Sequence, residues 1–289
     1  MQPWQQRVSL NFTQAVFVPL AGGSLADSYE LRTRDEHYFV KHYNPTALSD
    51  SMVTWRESSA LKELKRWDWP VPEVIMHEDS FMVLSWVGPG PSRQQEAAGA
   101  ILGEILGRVH KRPAKGFSLP WGNSIGVLQD PGKVYSQAGD FYWSERLCPL
   151  LETLLPRYPL FREIIQWETS IRDFLNHSIH HPTLVHGDLW SGNFLWQADG
   201  TPFVIDPASY FGDPVADIAF SELFGGFPNS FYTHYWEEFG QDAHYACKKP
   251  LYQLYHALVH LKLFGKSYLN LSERLANEIF RNSCFKVMK

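Results

Sequence analysis

The stretch HGDLWSGNFLW (186–196), followed by VIDPAS (204–209), sets two acids and an amide around a short hairpin. Asp188 and Asn193 are five residues apart, and Asp206 ends the strand that follows. The segments FLW and FVID flank a Gln-Ala-Asp-Gly turn, in which Asp199-Gly200 is a strong hairpin signal. A loop followed by a hairpin brings all three side chains to one rim. There a carboxylate can take a proton from a hydroxyl, while an amide oxygen and a second carboxylate hold a hard cation. Any one of these residues alone reads as a helix cap or a turn former. A capping role, however, does not require His-Gly-Asp, the five-residue step and a strand-terminal acid together.

Upstream of this segment the chain reads first as sheet. QAVFVPL (14–20), SYELRT (28–33) and HYFVKHY (37–43) are rich in β-branched and aromatic residues, and short polar links between them predict consecutive hairpins. A helix is predicted over about 50–66, with Ser49 or Asp50 as its cap and Pro70 and Pro72 beyond its end. Strands are predicted at 73–77 and 80–87, the second nearly all apolar. GPGPS (88–92) breaks the chain, and after it Ala97, Ala98, Ile101, Leu102, Ile105, Leu106 and Val109 recur at helical spacing. Further helices are predicted near 140–155, 160–180, 216–224, 229–239, 244–265 and 271–282, with a β insert at 183–206. The expected fold class is α+β: a small β-rich N-lobe (1–87) ending in a hinge, and a larger, mainly helical C-lobe (88–289).

The Asp-to-Asn interval is that of the kinase catalytic-loop pattern H-R-D-L-x-x-x-N. Phosphoryl transfer needs a base for the acceptor hydroxyl and oxygen ligands for Mg²⁺ beside the ATP phosphates. It also needs a lysine on the third strand and a helical glutamate that holds it. Lys41 stands in the apolar strand HYFVKHY, where an ammonium calls for an anionic partner, and Glu57 lies on the next predicted helix. The turn AGGSLADSY (21–29) has paired glycines, Gly22 and Gly23, but not G-x-G-x-x-G. Its place ahead of the lysine strand makes Gly22, Gly23 and Ser24 candidates for phosphate cover.

Composition narrows the class further. A net charge of −5 and no Lys/Arg run longer than two argue against a nucleic-acid partner. No stretch approaches the roughly 18 apolar residues of a membrane span, and the first dozen residues lack the apolar core of a signal peptide. A cytoplasmic protein is expected. Cys148, Cys247 and Cys284 are odd in number with no C-x-x-C spacing, so neither a disulfide framework nor a zinc ribbon is indicated. His177, His180 and His181 read as histidines near a helix end, and His256 and His260 as a satisfied core pair, because Ala257 stands where H-E-x-x-H needs Glu.

The sequence resembles the fructosamine kinase family, within the aminoglycoside-phosphotransferase-like small-molecule kinases. HGDLWSGN (186–193), IDPASYFGDPVADIAFSELFGGFPNSFYTHY (205–235), WRESSALKEL (55–64), LPWGNSIGVLQ (119–129) and FYWSERLCPLL (141–151) carry the likeness, which spans most of the chain. The resemblance implies a bilobal protein-kinase-like fold. Asp188 would be the proton acceptor, Asn193 and Asp206 the Mg²⁺ ligands, and Lys41–Glu57 the phosphate-positioning pair. The hinge residues Ser85, Trp86 and Val87 would face adenine, and Asp217 would brace the catalytic loop. It implies ATP and Mg²⁺ as cofactors and transfer of the γ-phosphate to the sugar 3-hydroxyl of a glycated small amine or protein lysine, followed by loss of the phosphate and release of the amine. Trp190, Tyr210, Phe211 and Trp143 are aromatic candidates for the sugar face, Trp190 foremost by its place two residues after Asp188. Ser24 stands where many members carry a cysteine, Ser85 where an acid is common, and Pro207-Ala208 follows Asp206 in place of Phe-Gly. The same-fold alternative is a kinase for aminoglycosides, choline or a sugar. A nucleotide-binding pseudokinase would have lost one of Lys41, Asp188, Asn193 or Asp206, and all four are present.

Overall fold

A computed structural model of the chain describes residues 2–21, 26–43, 52–125, 128–130, 132–179 and 181–285. The proposed phosphate cover, Gly22, Gly23 and Ser24, lies outside the described residues, as do the expected helix caps Ser49 and Asp50 and also His180. The chain opens with a short helix, α1 (Pro3–Ser9), which the sequence reading did not anticipate. The first three strands follow as expected: β1 (Val16–Leu20), β2 (Asp27–Arg32) and β3 (His37–His42). Next come α2 (Val53–Arg66), β4 (Val74–Glu78) and β5 (Phe81–Ser85). The five strands form one antiparallel sheet in the order β1-β2-β3-β5-β4, with Lys41 opposite Ser28 and Met82.

Side-chain alternation along β3 divides this sheet into a working face and a structural face. Val40 is buried with Leu31, Phe81 and Val83 beneath Trp4 and Val8 of α1, and Trp4 stacks on His42 with ring centroids 4.7 Å apart. Phe39, Lys41 and Tyr43 point the other way and line a cleft. The α1 helix thus supplies the cover that lets one face of β3 stay dry while the other faces the site.

The remaining chain is mainly helical. α3 (Gln95–His110) is followed by a small hairpin, β6 (Asn123–Ile125) and β7 (Leu128–Asp130), that the sequence reading missed. Next come α4 (Ala138–Phe141), a wide turn at Tyr142–Leu147 and α5 (Cys148–Leu154). Pro149 in the first turn of α5 has no amide hydrogen to close a regular helical bond, which accounts for the widened turn just before it. The single helix expected over 160–180 is two, α6 (Arg162–Gln166) and α7 (Glu168–Ser178), meeting at Trp167.

The β insert contains β8 (Thr183–Val185), β9 (Phe194–Trp196) and β10 (Pro202–Val204), and the last two form the hairpin expected around Asp199-Gly200. An unforeseen strand, β11 (Tyr210–Gly212), pairs with β8 and folds the segment after Asp206 back beneath the catalytic loop. The chain closes with α8 (Val215–Ser221), α9 (Asn229–Phe239), α10 (Tyr245–Phe264) and α11 (Leu269–Arg281).

Two devices hold the helical part together. Gly99, Gly103 and Gly107 form a stripe on α3 that lets α9 come unusually close. A Cβ on Gly103 would stand 2.3 Å from the Phe231 carbonyl oxygen. At the C-terminus, Cys247 on α10 and Cys284 after α11 are joined as a disulfide, against the expectation from cysteine number. The antiparallel pairing of α10 and α11 brings them together across 37 residues, a separation that no short spacing motif encodes. Among the described residues, no helix is long and apolar enough to cross a membrane.

Candidate active site

Asp188 sits at the floor of a cleft of about 620 Å³. Its loop is held from below. The backbone N–H groups of His186 and Gly187 donate to the two Asp217 carboxylate oxygens at 2.6 and 2.8 Å. Gly187 has φ +80°, and a Cβ there would stand 2.1 Å from the Ala208 carbonyl oxygen, so the sharp turn before Asp188 requires glycine. From above, Asn193 Nδ2 donates to the Asp188 backbone oxygen at 2.9 Å and to its Oδ2 at 3.1 Å. Asp188 therefore presents a fixed carboxylate to the cleft. Burial, reinforced by the Asp206 and Asp217 charges, pushes its pKa up to about 7, against the opposing pull of Asn193 and Lys41.

Asp206 reaches the same place from β10. The Ile205 N–H donates to the Asn193 carbonyl at 3.0 Å, which ties the hairpin to the catalytic loop. Asp206 has φ +55°, a conformation uncommon for a side-chain-bearing residue and often found where function demands it. Its side chain remains 42% exposed to the cleft. Lys41 closes the constellation, with Nζ 2.9 Å from Glu57 Oε1 and 3.0 Å from Asp206 Oδ1. Tyr43 donates to Glu57 Oε2 as a third member of that cluster. Burial disfavours the Lys41 ammonium, but the charges of Glu57 and Asp206 outweigh it and hold its pKa well above the ordinary value. The lysine stays charged.

The donor set suits Mg²⁺. Both Asn193 side-chain bonds are made by Nδ2, which leaves Oδ1 as an oxygen donor, and the Asp206 carboxylate is open to the cleft. Two oxygen ligands, with the rest supplied by phosphates and water, are what this ion usually takes from a protein. Among the described residues no cluster of three or more His, Cys, Asp or Glu would hold a softer metal.

The chain belongs to the fructosamine kinase family. The family model for fructosamine kinase matches residues 1–282. A probable ketoamine kinase of Synechocystis sp. is 30% identical over 293 residues, covering 96% of this chain and 97% of that protein. A Thermobifida fusca structure assigned as a fructosamine-3-kinase superposes with a TM-score of 0.83 at 28% identity, covering 96% of this chain and 98% of that one. The wider fold is that of aminoglycoside phosphotransferases. One of these, solved with streptomycin and ATP, gives a TM-score of 0.62 at 15% identity over 96% of this chain and 98% of its own. As a member of this family, the chain is a phosphotransferase with an alcohol group as acceptor.

Not every candidate of the sequence reading reaches this cleft. Trp190 does: it is 39% exposed on the wall, and Gly192 leaves room for its ring, since a Cβ there would stand 2.2 Å from it. The other three aromatics lie off the cleft: Trp143 and Tyr210 are buried in the core, and Phe211 is half-buried against it. Trp143 is buried within the widened turn. Tyr210 is buried against Phe141 with the Arg146 guanidinium 4.2 Å from its ring centre. Phe211 packs on Trp67. Alternation along β11 sends the two side chains to opposite faces of the ribbon, Tyr210 into the core and Phe211 against Trp67. At the hinge, the Ser85 N–H donates to the Glu73 carbonyl and its hydroxyl accepts from the Glu73 N–H, both at 2.9 Å. Those groups are already committed, and Ser85, Trp86 and Val87 lie off the described lining of the cleft.

Four residues were missed. Tyr43 ends the lysine strand, and its aromatic character had counted only as strand propensity. Buried His110 on α3 places Nε2 3.6 Å from Asp217 and Nδ1 3.0 Å from the Tyr235 hydroxyl. His260 and Phe264 line the cleft from the last turns of α10, so the expected core pair holds only for His256, which is buried on Phe220. Helical spacing was the one available signal, since His260 and Phe264 lie four apart on one face.

Proposed function

We propose that the chain transfers the γ-phosphoryl group of ATP to the 3-hydroxyl of a ketoamine formed by glycation of an amine, and so initiates its deglycation in the cytoplasm. The observation that carries this reading is the convergence of Asp188, Asn193, Asp206 and Lys41–Glu57 in one cleft whose acceptor wall is Trp190. Asp188 takes the hydroxyl proton as the sugar oxygen attacks phosphorus and ADP leaves. Its raised pKa, near neutrality, suits a base that must accept a proton from an alcohol. Asn193 orients that carboxylate. Lys41, fixed by Glu57, holds the phosphates, with residues 1–87 forming the nucleotide side and 88–289 the acceptor side. Trp86 and Val87, rather than Ser85, present backbone groups to adenine. Mg²⁺ held by Asn193 and Asp206 would neutralise charge on the phosphates. The Trp190 ring offers an apolar face to the sugar. The phosphate at C3 is then lost by β-elimination, and hydrolysis of the resulting imine frees the amine and leaves the sugar as a 3-deoxy dicarbonyl.

An acceptor panel tests the substrate class. ADP release should be rapid with fructosyl-lysine or ribosyl-lysine and near background with kanamycin and choline. Turnover of kanamycin or choline but neither ketoamine would overturn the reading.

A further inference from the structure

Beyond Trp190, the acceptor end of the cleft is walled by Val259, His260, Leu263 and Phe264 of α10. Phe264 is 53% exposed, and it is not alone. Around His260 the rings of Phe224, Tyr268 and Phe264 lie with centroids 4.9, 4.9 and 5.5 Å away. Phe264 and Tyr268 are 6.0 Å apart, and Phe224 is itself 39% exposed. Three segments of chain therefore contribute rings to one open rim: the turn after α8, the end of α10 and the turn before α11.

On the described cleft lining the charged side chains lie away from these rings. The acids on the described lining of the cleft are Glu57, Asp188 and Asp206, all in the catalytic cluster, and its Lys and Arg residues are Lys41 and Arg56, on the nucleotide side. His260 is held neutral by burial, with Nδ1 against the His256 carbonyl at 2.8 Å.

We infer that the rim of Phe224, His260, Phe264 and Tyr268 is the subsite for the amine half of the acceptor, and that it selects ketoamines whose amine substituent carries a ring over ketoamines, such as that of glycine, with no ring or alkyl chain to meet it. The inference rests on the ketoamine reading and specifies its substrate class. An aromatic substituent would lie against Phe264 while the sugar stays beside Trp190 and Asp188. Ring contacts and apolar burial of this size correspond to roughly a tenfold gain in kcat/KM.

The test compares the fructose ketoamines of benzylamine and of glycine as acceptors for wild type, Phe264→Ala and Phe264→Trp. The expected wild-type preference for the benzylamine compound is about tenfold or more. It should collapse to within about threefold in Phe264→Ala and persist in Phe264→Trp, which keeps an aromatic face. The ratio is read within each variant, so partial loss of folded enzyme cancels. No preference in wild type, a preference for the glycine compound, or a ratio untouched by Phe264→Ala overturns the subsite while leaving the kinase reading intact. Phosphorylation of neither compound overturns the ketoamine reading and the subsite with it.

Discussion

Lys41 Nζ lies 3.0 Å from Asp206 Oδ1, a contact between residues 165 positions apart that joins the sheet of the first lobe to the hairpin of the second. The same ammonium bonds both Glu57 oxygens, at 2.9 and 3.1 Å. One cation thus faces Glu57 and Asp206 together. On the proposed reading, ATP phosphates with Mg²⁺ would enter where Asp206 meets the lysine, and the two lobes would share the nucleotide at that point.

Replacing that cation should therefore affect both fold and catalysis. In Lys41→Met, kcat/KM for ATP is expected to fall by about 10²–10³, the usual loss when a charge-stabilising donor is removed. Steady-state kinetics at saturating acceptor would show it. Retention of more than a tenth of the activity would deny Lys41 its role.

The Asp188 carboxyl, raised to about 7 by burial, must be ionised to accept a proton. The sign is simple: protonation below this value removes the base. The expectation is that kcat/KM for the acceptor falls about tenfold per pH unit on the acid side of roughly neutral pH and levels off above it. A profile flat from pH 5 to 8 would show that Asp188 titrates far lower or does not act as base.

Asp217 holds the catalytic loop by accepting two buried N–H groups. Asp217→Ala leaves both without partners, at about 1–3 kcal/mol each. Thermal unfolding should show the loss, and kcat should drop more than KM changes, because the base loses its position rather than the substrate its contacts. Asp217→Asn, which retains one acceptor oxygen, should fall between the two.

Gly103 separates two principles of opposite sign. Helix propensity alone predicts that Gly103→Ala stabilises α3 by about 1 kcal/mol. The added Cβ, however, would meet the Phe231 carbonyl oxygen at 2.3 Å and the Tyr235 nitrogen at 2.9 Å, both backbone atoms of α9 that cannot swing aside. Overpacking of this kind is destabilising by about 1–3 kcal/mol, so a melting temperature several degrees lower is expected by calorimetry. A rise would show that α3 and α9 separate easily.

The catalytic loop and its hairpin were legible in the sequence because their signals are local: a five-residue step, a strand-terminal acid and an Asp-Gly turn all act within about twenty residues. Lys41 was legible for a different reason, since a lysine inside an apolar strand demands an anion. What sequence could not show was which aromatics face the cleft. Tyr210 and Phe211 stand close to Asp206 in the chain yet turn away from the cleft, because β11 sends Tyr210 against Phe141 in the core and Phe211 against Trp67. Phe264, about seventy residues from the catalytic loop, reaches the site only because α10 ends there. The Cys247–Cys284 bond was hidden likewise by a helix pairing that no short motif encodes.

The central claim is phosphorylation of a ketoamine with Asp188 as base, and phosphorus NMR of the product made from ATP and fructosyl-lysine tests it most directly. With wild type, a sugar-phosphate resonance should appear and then decay as free lysine and inorganic phosphate accumulate. Asp188→Asn should slow its appearance by about 10²–10⁴. Absence of a phosphate ester with wild type, or formation at the same rate in Asp188→Asn, would contradict the account.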